Sequence, residues 1–119
     1  MTYVDTHVHF WDPAVGRYGW LPAATPAMGL AEYRAVTVDD PPARFVFVEA
    51  DIDPGEGAAE ARWVHEMCAG EPDFGGMVVW APIEEGADAV HRHLDGLALD
   101  SVVGVRRLIQ GRPDGFGRE

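Results

Sequence analysis

Segments rich in β-branched and aromatic residues alternate along this chain with segments whose apolar residues recur at helical spacing. The first kind predicts strands at 3–10, 44–50, 74–83 and 101–110. The second kind predicts helices at 30–36, 51–70 and 86–99. Near-continuous apolar strands linked through helices favour a parallel sheet with both faces covered. Right-handed crossovers would place the strands side by side in chain order, which curls a sheet toward a barrel. We therefore predict an α/β fold with about four parallel strands.

The opening segment, VDTHVHFWDP, places ionisable groups on a strand that should be buried. Strict alternation would put Asp5, His7 and His9 on one face and the residues between them on the other. Alternate residues lie about 6.5 Å apart, so both imidazoles can approach one ion at about 2.1 Å. Asp5 would then orient a ligand ring or stabilise the start of the strand. The alternative is a strand whose polar face is simply hydrated.

Charge and composition exclude some classes of partner. The chain has 20 acidic and 9 basic residues and a formal net charge of −11, whereas a nucleic-acid partner demands clustered Lys and Arg. No segment approaches the roughly 20 apolar residues of a membrane span, and the start lacks the basic region of a secretory signal. We expect a cytoplasmic protein that binds neither nucleic acid nor membrane. The single cysteine, Cys68, is predicted to be a small core residue.

Four segments together resemble a known family. The chain reads DTHVHFWDP at 5–13, YGWLP at 18–22, FGGMVVWAPI at 74–83, and VVGVRRLIQ at 102–110 followed by PDGF. In this order they resemble the N-terminal part of the amidohydrolase superfamily. More narrowly, they resemble the amidohydrolase-2 group, which includes sugar lactonases such as L-fuconolactonase and L-rhamnonolactonase-like enzymes. The resemblance implies a (β/α)8 TIM barrel, of which residues 1–119 would form the N-terminal half, as a fragment.

The resemblance also implies roles for individual residues. His7 and His9 match the metal-ligand pair of the first strand, and Arg106 matches a contact for a carbonyl, carboxylate or sugar oxygen of the substrate. The forked donors of an arginine suit such oxygens, although a salt bridge at the rim is the alternative. From its own position at the end of the second predicted strand, Glu49 would line the same mouth and hold water or a hydroxyl, or else be a rim or strand-end charge. The aromatic residues that would form walls against a sugar, or else pack in the core, are Trp11, Trp20 and Trp80.

Other ionisable side chains are predicted to lie outside the site. His91 and His93 would diverge by about 200° on a helix and could not bind one ion, so both are predicted at the surface. His65, alone on its helix, receives the same interpretation. Arg107 has the opposite parity to Arg106 and is predicted to point toward the helices.

The implied activity is hydrolysis of a sugar lactone or related cyclic ester by activated water. A divalent metal such as zinc is the implied cofactor, although some members of the group work without one and the histidines would then polarise the substrate directly. The general base is expected beyond Glu119, so the isolated chain should be inactive. One alternative is a non-catalytic half-barrel that binds metal weakly or self-associates through open sheet edges. Another is a nuclease or phosphoesterase, against which the acidic composition weighs.

Overall fold

A computed structural model describes residues 2–118 as four parallel strands and three α-helices. The strands are β1 (Val4–Val8), β2 (Arg44–Val48), β3 (Phe74–Trp80) and β4 (Val102–Arg106). The helices are α1 (Leu30–Val36), α2 (Gly57–Cys68) and α3 (Ala87–Leu97). The strands lie in the order β1-β2-β3-β4 and every neighbouring pair is parallel. The predicted α/β class, the number of strands and their side-by-side order are confirmed.

The strands and α2 are shorter than the sequence patterns suggest, and proline explains two of the boundaries. β3 ends at Trp80, just ahead of Pro82, which has no N–H to donate to a strand ladder. Pro54 opens a short 3₁₀ turn, Pro54–Glu56, so α2 begins only at Gly57. Apolar residues that follow the strands therefore belong to the loops at the carboxyl edge of the sheet.

The hydrophobic core lies between the sheet and the helices. Each helix contributes to one cluster, through Leu30 of α1, Val64 of α2 and Leu97 of α3. Against them pack strand and near-strand residues that are almost wholly buried: Val8, Phe10, Phe45, Phe47, Met77 and Val79. Cys68 is fully buried in the same cluster as a free thiol, which confirms its predicted place in the core.

The helices cover only one face of the sheet, so the expectation that both faces are covered is wrong for residues 2–118. Val4 on β1 is 51% exposed and Val103 on β4 is 63% exposed, and Thr6 on β1 is exposed as well. No helix within residues 2–118 is both long enough and apolar enough to cross a membrane.

Each pair of neighbouring strands contains one register shift. The extra residue lies on β1 between Asp5 and Val8, on β3 between Phe74 and Gly76, and on β4 between Val102 and Gly104. Extra residues of this kind bend and twist the strand that carries them. The sheet therefore has a source of curvature along its whole width.

The close approach of α2 to β3 requires glycine at position 57. A Cβ on Gly57 would lie 2.5 Å from Cε3 of the buried Trp80 ring. We expect Gly57→Ala to lower the free energy of unfolding by about 1–3 kcal/mol, since the ring or the helix must move. Gly96, within α3, has no atom within 4 Å of an added Cβ. Gly96→Ala should instead raise stability by up to about 1 kcal/mol. Urea denaturation of both variants measures the difference, and equal effects would contradict the packing argument.

Candidate functional site

Polar side chains gather where the parallel strands end. His9 follows β1, Glu49 follows β2, and Arg106 closes β4. Because carboxyl ends of parallel strands share one edge, these residues come together from distant parts of the chain. A cavity of about 700 Å³ opens at this edge, and its wall includes His9, Trp20, Asp51, Arg106 and Arg112. This edge is the candidate site.

His7 and His9 face each other as the sequence predicts. Their Nε2 atoms lie 3.1 Å apart and their rings are nearly perpendicular, at 82°. Two nitrogens that each bind a zinc ion at about 2.1 Å with a tetrahedral angle lie about 3.4 Å apart. The observed separation is about 0.3 Å shorter than this value, and the His7 side chain is exposed. The pair therefore fits a divalent transition metal.

The surroundings of His9 hold its ring in the form that a metal needs. Nδ1 of His9 lies 2.8 Å from the carbonyl oxygen of Val48. A carbonyl can only accept, so Nδ1 carries the proton and the lone pair of the neutral ring lies on Nε2. Burial lowers the pKa of His9, and the positive charges of Arg106 and His7 lower it further. His9 is therefore neutral over a wider pH range than a free histidine.

The face predicted for Asp5 is wrong, because β1 contains an extra residue. Asp5 pairs with Phe45 and Val8 pairs with Phe47, so three steps on β1 match two on β2. This bulge turns Asp5 to the helix side. Its carboxylate accepts hydrogen bonds from the Tyr33 hydroxyl at 2.8 Å and from the His7 backbone N–H at 3.2 Å. Asp5 thus stabilises the strand start, which is one of its two predicted roles, and it does not share the face of the histidines.

Arg106 and Glu49 form the salt bridge that the sequence left as an alternative. Nε of Arg106 donates to Oε1 of Glu49 at 2.6 Å, and Nη2 donates to the Glu49 carbonyl at 2.6 Å. The Glu49 side chain is fully buried, whereas the Arg106 side chain is 27% exposed and lines the cavity. Glu49 is therefore placed behind Arg106 and holds it. The predicted contacts of both residues with a substrate stay predictions.

A second ion pair, which sequence reasoning missed, closes another side of the cavity. Nη2 of Arg112 donates to Oδ1 of Asp51 at 2.7 Å. Asp51 adopts a left-handed backbone conformation, with φ of 54°, and its N–H donates to Oε2 of Glu49 at 2.7 Å. The two ion pairs are thus joined through Glu49. The position of Asp51 two residues after Glu49 could have indicated this role, whereas Arg112 follows no strand directly.

The three predicted tryptophans occupy different places: Trp20 lines the cavity, Trp11 packs behind it, and Trp80 is buried in the protein. Trp20 lines the cavity and is 48% exposed, and its indole N–H is fixed by the Ala50 carbonyl at 2.6 Å. Trp11 packs edge-on against Trp20 and donates to the Pro26 carbonyl at 3.2 Å, so it supports that wall from behind. Trp80 is buried beside α2 and α3. Among the three, Trp20 has the placement of a ligand-facing wall.

A buried glutamate of α2 lies beneath the site and carries no signal in the sequence. Glu60 is 1% exposed, and one of its oxygens accepts the Ala50 N–H at 3.4 Å. Burial, followed by repulsion from Glu49, raises the pKa of Glu60 to about 8. The nearby hydroxyl of Tyr18 is also buried, and desolvation raises its pKa. Glu60 is thus an uncharged acid at neutral pH, which limits the negative charge beside Glu49.

The remaining histidines lie away from the cavity. His91 is exposed as predicted, but His93 is half-buried, because its Nε2 contacts the Trp80 carbonyl at 3.0 Å where β3 meets α3. His65 is also half-buried, with Nδ1 at 2.7 Å from the Ser101 hydroxyl. Arg107 points toward the helical side as predicted, over the Trp80 ring. Within residues 2–118, no group of three or more His, Cys, Asp or Glu side chains is arranged to hold a metal ion.

The comparisons with known proteins supply no relative. No protein-family model, no curated protein and no solved structure matches this chain.

The state of Glu60 predicts how stability depends on pH. An unfolded glutamate ionises near pH 4.5, but folded Glu60 keeps its proton to about pH 8. Between these values the folded state binds more protons, so the free energy of unfolding falls as pH rises, with a limiting slope of about 1.4 kcal/mol per pH unit. Glu60→Gln resembles the protonated acid in shape and should remove this fall. The free energy of unfolding of Glu60→Gln should then exceed that of the parent at pH 8 and nearly equal it at pH 4.5.

Urea denaturation at several pH values measures this effect. Glu66→Gln is the matched control, since Glu66 lies on the same helix with an exposed side chain. The control should leave the pH profile of the parent unchanged. The burial argument is wrong if both variants shift the profile alike.

Proposed function

We propose that this protein is a hydrolase of the amidohydrolase-2 kind that acts on a sugar lactone or related cyclic ester, with its four strands forming the N-terminal half of a (β/α)8 barrel. The observation that carries the proposal is the meeting of the His7 and His9 Nε2 atoms at 3.1 Å, at the carboxyl edge of a parallel sheet and beside a cavity lined by Arg106. Enzymes with such barrels place their chemistry at this edge. The resemblance of the segments from DTHVHFWDP to VVGVRRLIQ supports the same class.

His7 and His9 are the residues that would hold a divalent metal. When bound, such an ion lowers the pKa of water and polarises a carbonyl oxygen. His9 is pre-set for this role by its bond to the Val48 carbonyl, whereas His7 must give up the hydrogen bond between the two rings. Where no metal binds, Nε2 of His7 carries a proton and can donate to a substrate oxygen, whereas Nε2 of His9 carries the lone pair and can only accept.

Arg106 is placed to orient the substrate. Glu49 accepts hydrogen bonds from Nε and Nη2 of Arg106, and Nη1 of Arg106 has no partner among residues 2–118. A donor fixed in this way suits the oxygen on which negative charge develops during attack on an ester carbonyl. Trp20 offers a fixed aromatic face across the same cavity, which suits the apolar face of a sugar ring. The base that takes a proton from water is still expected beyond Glu119, so we propose substrate binding rather than turnover for residues 1–119 alone.

A second candidate function is a non-catalytic module that binds metal weakly. The observation in its favour is that residues 2–118 supply two histidine donors and no third ligand in reach. Structural zinc sites use four protein ligands and catalytic ones three. For either function we propose a cytoplasmic location, supported by the single buried thiol of Cys68.

Metal titration tests the histidine pair. We expect the chain to bind Co²⁺ or Zn²⁺ at one site, measured by calorimetry and by the visible absorption of Co²⁺. His7→Ala and His9→Ala should each weaken binding by more than about tenfold, the range in which even supporting residues act. His91→Ala is the matched control, because it removes an exposed histidine far along the chain and should bind as the parent does. Equal binding by all variants would refute the site.

Ligand titration tests the substrate class. Nitrogen-15 NMR should show that a sugar lactone, or the sugar acid formed from it, shifts the indole N–H of Trp20 and the Nε–H of Arg106. A phosphodiester is the comparison ligand. If the phosphodiester shifts these signals and the lactone does not, the phosphoesterase alternative replaces the lactonase. The proposal fails if neither ligand shifts them at millimolar concentration.

A further inference from the structure

The backbone of Ala50 connects the wall of the cavity to a buried acid behind it. The Ala50 carbonyl accepts the indole N–H of Trp20 at 2.6 Å, and the Ala50 N–H donates to a carboxyl oxygen of Glu60 at 3.4 Å. Ala50 also lies between Glu49 and Asp51, the two acids that hold the arginines of the cavity. One short segment of backbone therefore links the aromatic wall, both ion pairs and helix α2.

The surroundings of Glu60 disfavour its ionisation. Three groups face it: Glu49 at the end of β2, the buried hydroxyl of Tyr18 in the loop after β1, and Arg106 at the end of β4. Arg106, the only cation among these three groups, is already paired with Glu49 at 2.6 Å. Burial and the charge of Glu49 raise the pKa of Glu60 to about 8. Glu60 can therefore lose its proton in a mildly alkaline solution.

The protonation state of Glu60 sets the net charge directly behind the cavity. While Glu60 is neutral, each of the other two acids is balanced by its own arginine. The pairs are Glu49 with Arg106 and Asp51 with Arg112. Loss of the Glu60 proton adds one negative charge that neither arginine balances. Because Glu60 is 1% exposed, salt and water screen this charge weakly and its field reaches the cavity.

We propose that Glu60 is a positioning residue that sets the charge of the cavity through Ala50 and the Glu49–Arg106 pair, so that loss of its proton weakens the binding of an anionic ligand. Hydrolysis of a lactone consumes one water and yields a hydroxy acid, which is an anion at neutral pH because carboxyl groups ionise near pH 4. The added charge repels this acid and has little effect on an uncharged sugar ring. The choice of ligand rests on the function proposed above, whereas the coupling of Glu60 to the cavity does not.

Ionisation of Glu60 also acts on Trp20. The separation of 3.4 Å between the Ala50 nitrogen and the Glu60 oxygen is long for a hydrogen bond, whereas an ionised acceptor draws its donor to about 2.7–2.9 Å. The Ala50 peptide would thus move toward α2 when the proton leaves. Since the carbonyl of Ala50 holds the indole of Trp20, this indole reports the state of Glu60.

A pH titration of the protein without ligand tests the coupling. Fluorine-19 NMR of 5-fluorotryptophan at Trp20 and the carbon-13 signal of Arg106 Cζ are followed from pH 6.5 to 9. Both signals should shift with a midpoint near pH 8. Glu60→Gln should abolish this transition. Glu66→Gln, which changes an exposed acid of the same helix, is the matched control and should keep the midpoint of the parent.

Tyr18→Phe separates this role of Glu60 from a structural one. The Tyr18 hydroxyl stabilises the ionised form of Glu60, so it lowers the pKa of that acid. Phenylalanine fills nearly the same space without the hydroxyl, and the midpoint of the Trp20 signal should therefore move to higher pH. A side chain that served only to fill the core would not move this midpoint.

Calorimetry tests the effect on binding. The affinity of the parent for the sugar acid should fall by more than about threefold between pH 6.5 and pH 9, as expected for one weakly screened charge. In Glu60→Gln the affinity for the acid should change much less over this range. The uncharged sugar with the same ring stands in for the lactone, which alkali hydrolyses. Its affinity should change little in either protein.

Several outcomes overturn the proposal. They are a Trp20 signal that does not titrate near pH 8, a transition that persists in Glu60→Gln, and an acid affinity that falls equally in the parent and in Glu60→Gln. Failure of both the acid and the sugar to bind at any pH contradicts the proposed function instead. The titration without ligand then decides by itself whether Glu60 is coupled to the cavity.

Discussion

The extra residue in β1 is the constraint on which the core and the candidate site both depend. It turns Asp5 to the helices, where Tyr33 holds the carboxylate, and it brings Val8 and Phe10 into the core. His9 is left on the cavity side. A regular strand that buried Phe10 would carry Asp5 onto the histidine face and bring its charge beside them. The bulge therefore separates a structural carboxylate from the imidazoles within a strand of five residues.

Buried charge joins the site to the fold. Glu49 is fully buried and satisfied by Arg106 and by the N–H of Asp51, while Asp51 holds Arg112. Removing one partner of a buried ion pair leaves an uncompensated charge and costs about 3–5 kcal/mol. Replacing Arg106 would thus leave the buried Glu49 carboxylate unpaired and lower the stability of the fold. Because Glu60 is a neutral acid at pH 7, it adds no negative charge beside Glu49.

The sequence predicts the class and order of the fold well, because both rest on repeated local patterns. The strand and helix periods of VDTHVHF, RFVFV and the segment containing Trp63 and Val64 fix the elements, and short crossovers fix the order. The pairing of His7 with His9 follows from their spacing. The bulge is not predictable, because it depends on which partner residues β1 meets on β2. The roles of Arg112 and Glu60 could not be predicted from the sequence either. The position of Arg112 depends on loop geometry, and the burial of Glu60 depends on the rotation of its helix.

The candidate site and the unpaired edges of the sheet share the same outer strands. Two histidine donors lack a third ligand within residues 2–118, and two strand edges lack partners there. His7 lies on the outer strand β1, which His9 follows, and Arg106 ends the outer strand β4 at the opposite edge of the sheet. Any strand that pairs with either edge brings its own carboxyl-end residues next to these side chains. A strand paired with β1 would therefore add residues beside His7 and His9, and a strand paired with β4 would add residues beside Arg106.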